Sequence, residues 1–493
     1  MKSPRSYLAR YMLLLPFCAG VFIAADDQTV VVTVLPEVMR DLRVGVGELD
    51  RASWAITGYL IGFTAAMPLM GRVTDRVGLR LAFIAALAVF VIGSTGVALS
   101  PVISEWATGR PEFSWMVGAR VLQAVGGGAS IPTALAAVHE LVEEDKRPFA
   151  YGLVGASAEA GGVIGPLWGG AITNWMSWEW AFWLNIPPAV AIAVVVMKSG
   201  AAQRRRVRID FAGAVLFAAA LSLATVSLSQ SGIRGRFFWW SLGCAAAAAS
   251  AYVVRQVRTR DPLVPRPVFR RANFVWASAG HFLVGAALII AMVSIPLMGN
   301  TLLGDSPLAG GLRLLRMTVA VGIGALVGGA WTQRAGPRAP AVFGTLLCCT
   351  AFAAMSRWSA DVSDPMMTVE LAVLGLGFGL LVAPLADSAL FNAAPEEQGA
   401  ASATLTVARM LGMTVGLAVL TAWGTVRFDA LVAGSPAFSV DPDIQAQVLE
   451  TASAAGLTVF RGFFVAAAVV SAVSVVPILL MTHGDAGRKL ARK

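Results

Sequence analysis

The stretch Gly152-Leu-Val-Gly155-Ala-Ser-Ala-Glu159-Ala-Gly161-Gly162-Val-Ile-Gly165-Pro166-Leu-Trp-Gly169-Gly170 decides how the rest of the chain is read. It lies inside one long apolar run and holds seven glycines and a proline. In water such a segment would not stay helical, because each glycine costs about 1 kcal/mol against alanine and an interior proline about 3. In hydrocarbon the backbone has no water to turn to, so its groups bond within the segment and the helix persists. Glycine then has a use, since two helices approach closely over a bare backbone. One carboxylate, Glu159, sits in the middle of this helix.

Composition points the same way. Of 493 residues, 57% are hydrophobic and 14% charged, against about 25% charged in soluble domains. An all-α polytopic membrane protein is the class that fits. The net charge of +9 does not indicate a nucleic-acid partner, because the basic residues fall in short loops between apolar runs. The cysteines (Cys18, Cys244, Cys348, Cys349) lie within apolar runs and read as packing residues. The three histidines (His139, His281, His483) stand far apart, so no metal site is expected. No Gly-rich loop ends in Gly-Lys-Ser/Thr, so ATP is not the expected energy source. Neither an enzyme nor a cofactor is expected; secondary transport, with protons as the coupling ion, is.

Fourteen runs of roughly 20 residues are long enough to cross a bilayer. They centre near Gly20, Gly62, Ala86, Gly126, Gly162, Ala189, Ala220, Ala247, Ala286, Val321, Leu347, Gly377, Gly412 and Val470. With the N-terminus inside, inner loops and tails hold 25 of the 38 basic residues and outer loops 8. That asymmetry places both termini in the cytoplasm. An internal repeat is visible: Gly71-Arg-Val-Thr-Asp75-Arg76-Val-Gly78-Leu-Arg80 and Gly329-Ala-Trp-Thr-Gln333-Arg334-Ala-Gly336-Pro-Arg338 agree at five of ten positions. The expected organisation is a six-helix bundle over 1–199, basic linkers with two inserted transmembrane helices over 200–271, a second six-helix bundle over 272–483, and a basic cytoplasmic tail over 484–493.

These residues resemble the major facilitator superfamily. Gly71-x-x-x-Asp75-Arg76-x-Gly78-x-Arg80 resembles its inner loop motif and Arg120-x-x-Gln123-x-x-Gly126 its span-four motif. Gly152, Gly161, Gly165, Pro166, Gly169 and Gly170 match the antiporter signature at every fixed position. Asp27-x-Thr29 with Leu35-Pro36, and Trp178-x-Trp180-x-Phe182-x-x-Asn185-x-Pro187, resemble the fourteen-span drug:proton antiporters. Trp54-Ala-Ile-Thr-Gly-Tyr59 through Pro68-Leu-Met-Gly71, and Ala408-Arg409-Met410-Leu-Gly412-Met413, are similar to the mycobacterial triacylglyceride exporters. The resemblance implies a major facilitator fold of two six-helix bundles plus two extra helices in a bacterial plasma membrane. It also implies a hydrophobic lipid or drug as substrate and an extracytoplasmic lipid-binding lipoprotein as partner.

Ionisable residues within spans are costly and face the bundle interior. Asp27 lies about 23 Å along span one at 1.5 Å per residue, at a depth comparable with Arg120 of span four. The two are expected to pair, with Asp27 taking up and releasing a proton. Asp26 points about 100° away and is the weaker candidate. Glu159 and Arg409 fall near mid-depth of spans five and thirteen and form the second expected coupling pair. Asp75 and Arg76, at a helix end on the inner face, are expected to gate by bridging to neighbouring helix ends. His281 reads as packed or hydrogen-bonded. Arg313 and Arg316 are expected to snorkel, and Arg204 to Arg208 to anchor on inner-leaflet lipids.

One further expectation concerns the outer side. Ala400 to Ala433 contains no proline and as a helix would reach about 51 Å, against roughly 30 Å of hydrocarbon. After Gly434-Ser435-Pro436, Asp441-Pro442 reads as the start of a return helix. A pair of helices near 424–458 is therefore expected to project beyond the outer surface. The first reading of function is a proton-coupled lipid exporter. A multidrug:proton antiporter and a non-transporting membrane sensor or scaffold are the alternatives.

Overall fold

The computed structural model describes residues 4–44, 49–109, 112–198, 210–229, 236–260, 262–303, 307–359, 361–391, 393–394, 397–433 and 442–481. Among them the regular structure is helical: α1 (Pro4–Asp41), α2 (Leu49–Val77), α3 (Leu79–Ala98), α4 (Ser100–Thr108), α5 (Phe113–Gly128), α6 (Ser130–Leu141), α7 (Arg147–Trp175), α8 (Trp180–Trp183), α9 (Ile186–Lys198), α10 (Phe211–Ser229), α11 (Arg236–Arg258), α12 (Arg266–Arg270), α13 (Ala272–Leu302), α14 (Pro307–Ala335), α15 (Arg338–Met355), α16 (Asp364–Leu390), α17 (Gln398–Val432) and α18 (Pro442–Leu480). Each of the fourteen expected centres falls within a helix. Eleven helical segments among the described residues are long and apolar enough to cross a membrane. The helices at the other three centres, α7, α10 and α11, fall short of that measure. In α7 the reason is visible in its sequence, since glycine adds little apolar surface. The chain is a multi-pass all-α membrane protein.

It forms two compact units: Met1–Val275 with Ala386–Val407, and Trp276–Leu385 with Ala408–Lys493. In the first unit, bare backbone sets the helix spacing. A side chain at Gly126 of α5 would strike Ala86 and Phe90 of α3, and one at Gly128 would strike Phe63 of α2. Span four is not one uninterrupted helix; it breaks at Ala129 into α5 and α6. Pro132 lacks the amide that would serve the Gly128 carbonyl, and three glycines in a row make the turn inexpensive. Beyond this break Val30, Val31, Val34, Val38, Phe113, Met116, Trp178 and Phe182 form part of a closely buried apolar cluster. The Trp178 indole Nε1 donates to Asp41 Oδ2 at 3.0 Å, tying the end of α1 to the turn before α8.

The two inserted helices belong to the first unit. α10 packs on α11 and on α2. The Asp210 carboxylate caps α10, accepting from the Gly213 amide at 2.9 Å and from Arg255 Nε at 2.8 Å. The return segment, expected as a basic linker, is folded against the unit. Leu263, Val264 and Val268 are buried, and the Pro262 carbonyl accepts from Arg72 Nη2 at 2.7 Å. Arg204 to Arg208, the loop residues Gly434 to Pro436 with Asp441, and the tail 484–493 lie outside the described residues.

In the second unit the same device recurs. A side chain at Gly412 of α17 would strike the Phe282 carbonyl of α13, and one at Gly285 of α13 would strike Arg409's. The two copies of the repeat share a backbone feature as well. Gly78 has φ 88° and Gly336 has φ 80°, a left-handed conformation that excludes most side chains and explains why both loops keep glycine there. α17 runs 35 residues and α18 runs 39, about 52 and 58 Å at 1.5 Å per residue. They meet at Trp423 and Phe463, whose rings are 5.6 Å apart. Nearby, Arg461 Nε donates to the Trp358 carbonyl at 2.8 Å.

Asp210→Ala removes the α10 cap and leaves Arg255 without this partner. A loss of about 1 kcal/mol is expected, read as a lowered melting midpoint in detergent; an unchanged midpoint would show that the cap contributes nothing to the inserted pair.

Candidate functional site

The glycines of α7 fall on two faces with different surroundings. Gly161, Gly165 and Gly169 lie against α1: added side chains there would strike the Phe22 carbonyl, Thr29 Oγ1 with the Asp26 carbonyl, and Thr33 Oγ1. The hydroxyls of Thr29 and Thr33 stay within α1, donating to carbonyls of Asp26 at 3.1 Å and Val30 at 2.8 Å. Helical spacing puts Glu159, Gly162 and Gly170 on another face. Side chains added at Gly162 and Gly170 would meet nothing within 4 Å. Glu159, half-buried, therefore stands on a strip of α7 that borders open space.

Asp27, on the other side of α1, is the centre of a closed polar node. Its Oδ2 accepts from Arg120 Nη1 at 2.8 Å, and its Oδ1 accepts from Gln123 Nε2 at 2.8 Å and from Asn185 Nδ2 at 2.9 Å. Arg120 also donates to Gln123 Oε1 at 2.9 Å. Its guanidinium lies over the Tyr59 ring, 4.1 Å from the centroid, and the Tyr59 hydroxyl donates to the Ala24 carbonyl at 3.2 Å. Both charged side chains are 0% exposed. The expected Asp27–Arg120 pair is thus present, with three partners that had no assigned role. Gln123 was visible as the residue one turn on from Arg120. Asn185 precedes α9, where a short amide at the helix start reaches back into the bundle. Tyr59 gave no distinguishing signal, because an aromatic on an apolar run reads as packing.

The inner loop motif works through backbone amides. Asp75, buried, accepts from the amides of Gly399 at 2.9 Å and Ala400 at 3.3 Å. It therefore caps the first turn of α17, where a carboxylate also meets the positive end of the helix dipole. Gly71 lies against the Gly399 carbonyl and Ala403. Next to this contact Arg271 pairs with Glu397, and Ser402 Oγ donates to the Pro132 carbonyl at 2.9 Å. Arg76 is exposed, and Arg80 is half-buried.

In the second unit Arg409 lies half-buried on α17. His281 is buried one turn before Gly285 on α13, and its Nδ1 lacks a hydrogen-bond partner among the described residues. Arg316 pairs with Asp364 at 2.8 Å, and Arg313 lies 3.9 Å from the same carboxylate. Both arginines join α14 to α16 as well as reaching the helix end.

Residues 17–417 match the profile described as Major Facilitator Superfamily. The chain belongs to that superfamily. Its structure resembles that of a proton:xylose symporter with a TM-score of 0.63 at 12% identity, covering 95% of each chain. The fold is thus the major facilitator fold, and the protein is a membrane transporter, not an enzyme. Two relatives are much nearer in sequence. A triacylglyceride transporter of Mycolicibacterium smegmatis is 35% identical over 431 residues, 83% of this chain and 75% of that one. A triacylglyceride transporter of Mycobacterium tuberculosis is 34% identical over 467 residues, 90% and 88% of the two chains.

The two glycine faces of this major facilitator helix make opposite demands. Gly161→Ala forces α7 off α1 and is expected to destabilise by about 1–3 kcal/mol, the range for overpacking. Gly162→Ala meets open space and, by removing a helical glycine, is expected to leave the melting midpoint unchanged or raise it. Equal midpoints for the two variants would contradict the assignment of faces.

Proposed function

We propose that this transporter is a proton-coupled exporter of very apolar lipids, triacylglycerides or glycolipids, working by alternating access in a bacterial plasma membrane with both termini in the cytoplasm. The observation that carries the reading is the length of α17 and α18. Trp423 and Arg461 are residues of the kind that settle at a membrane surface. Exposed Trp106, Trp175 and Trp240 stand at helix ends that the distribution of basic residues assigns to the outer side. Beyond Trp423 and Arg461 the two helices continue, with Val426 and Leu449 exposed. A lipid too apolar to enter water needs a greasy path off the membrane, and two helices with uncovered apolar residues supply one wall of it. The relatives named as triacylglyceride transporters support the same substrate class. A lipid-binding lipoprotein outside the membrane is the fitting recipient.

Protons are the proposed coupling ion, with Asp27, Arg120, Glu159 and Arg409 as the coupling groups. Protonating a carboxylate cancels its attraction for a guanidinium and its cost in a low-dielectric interior, so the proton selects which arrangement of helices is stable. Asp75, through its cap on α17, and its neighbours Gly71, Arg76, Gly78 and Arg80 act as the gate that holds one arrangement.

Glu159→Gln keeps the shape of the side chain and removes its titration. Accumulation of lipid in the outer compartment against its gradient should be abolished, with the melting midpoint kept; wild-type accumulation in this variant would remove Glu159 from the coupling path.

The projecting pair is tested separately. Replacing 427–457 by a short Gly-Ser linker is expected to stop lipid export and spare efflux of a small dye from the same cells. Equal loss of both activities would instead point to a general role in the transport cycle, and loss of neither would leave the helices without a part in lipid release.

A further inference from the structure

The short segment 262–271, between the inserted pair and α13, makes polar contacts with three helices. It folds back on the end of α11. Gln256 Nε2 donates to the Val264 carbonyl, and Arg266 donates to the carbonyls of Val257 and Thr259. The last carbonyls of a helix have no partner within it, so Arg266 both serves the end of α11 and fixes the segment there. Leu263, Val264 and Val268 are buried.

The remaining contacts go to the residues of the inner gate. The Pro262 carbonyl accepts from Arg72 of α2, which stands three residues before Asp75. At the other end of the segment, Arg271 pairs with Glu397. Glu397 directly precedes α17, and its carbonyl accepts from the Ala401 amide at 2.7 Å, so it is the residue from which that helix starts. Asp75 accepts from the next amides, those of Gly399 and Ala400. The start of α17 is thus held twice, by α2 and by the segment, and Arg72 ties these two holders to each other.

We propose that 262–271 is a latch on the inner gate, through which the inserted helix pair keeps the start of α17 against α2. The proposal rests on the gate assigned to Asp75 above and gives the inserted pair a part in it. α10 packs on both α11 and α2, and Arg255 of α11 donates to Asp210 before α10, so the latch has a firm end. Its other end suits release. Arg271 and Glu397 are both partly open to solvent. An ion pair in water contributes little, and a fully buried one is costly to break; a half-buried pair lies between, able to hold and able to part. α17 begins in the first unit, which holds its residues up to Val407, and continues into the second. A grip on its first turn therefore restrains the whole helix.

The test follows the exposure of Ser402, which is 0% exposed and donates to the Pro132 carbonyl. Full-length protein with its four native cysteines changed to alanine carries Ser402→Cys, and the rate of modification by a water-soluble maleimide is measured in detergent. Ser94→Cys, at a buried residue of α3, is the control. Arg271→Gln and Glu397→Gln are each expected to speed modification of the Ser402→Cys thiol several-fold and to leave the control rate unchanged. The double variant is expected to react no faster than the faster single one, because the two substitutions remove the same interaction. An unchanged rate in Arg271→Gln would overturn the latch. So would a rise at both thiols, which marks general loosening of the fold, or effects that simply multiply in the double variant. Asp75→Asn checks the underlying gate separately. If it leaves the rate unchanged, the gate assigned to Asp75 falls, and the latch on α17 stands or falls on Arg271→Gln.

Discussion

A guanidinium and a carboxylate 2.8 Å apart, both shut off from solvent, govern the arrangement of the first unit. Either charge alone costs roughly 3 kcal/mol in a membrane interior on insertion scales. Together they come near to cancelling, provided that the remaining donors and acceptors are satisfied. Gln123 and Asn185 supply that satisfaction, and the Tyr59 ring covers the cation. To place those five side chains around one point, α1, α2, α5 and the start of α9 must converge. A buried pair of this kind is poor value as a source of stability. Its merit is that it fixes one geometry, because every small displacement of a helix leaves a charge or an amide unpaired.

Around this node the helices are spaced by glycine. Gly126 and Gly128 bring α5 against α3 and α2, and Gly161, Gly165 and Gly169 bring α7 against α1. Lipid offers helices no hydrophobic reason to associate, so contact area and backbone proximity must hold them together. The same contacts lack side chains that lock into one another. A bundle built this way is packed backbone against backbone.

The inner motif extends the principle to the helix ends. Asp75 satisfies amides of α17 that have no partner within their own helix, and Arg72, three residues before it, holds the carbonyl of Pro262 in the segment after α11. The last turns of α2 thus tie together the start of α17 and the return from the inserted pair. That tie gives the inserted helices a place in the first unit. A linker free of contacts would have none.

The sequence by itself determined the class of protein, the places of its helices and the family. Runs of apolar residues have to become helices in hydrocarbon, and the repeated loop with Gly78 and Gly336 shows the duplication because a left-handed turn admits little else. It also determined that Asp27 and Arg120 would meet, since neither charge survives alone at that depth. Only the tertiary structure decided which of two adjacent acids is satisfied. Asp26 and Asp27 are chemically the same residue one position apart, and their difference comes entirely from the neighbours that a turn of 100° brings them: donors from α5 and α9 for one, and the bare backbone of α7 for the other. It likewise decided that Gly161, Gly165 and Gly169 of α7 face α1 while Gly162 and Gly170 border open space, and that the basic stretch after α11 is packed, with Leu263, Val264 and Val268 inside. Periodicity reports which residues share a side of one helix; what stands opposite that side belongs to the fold.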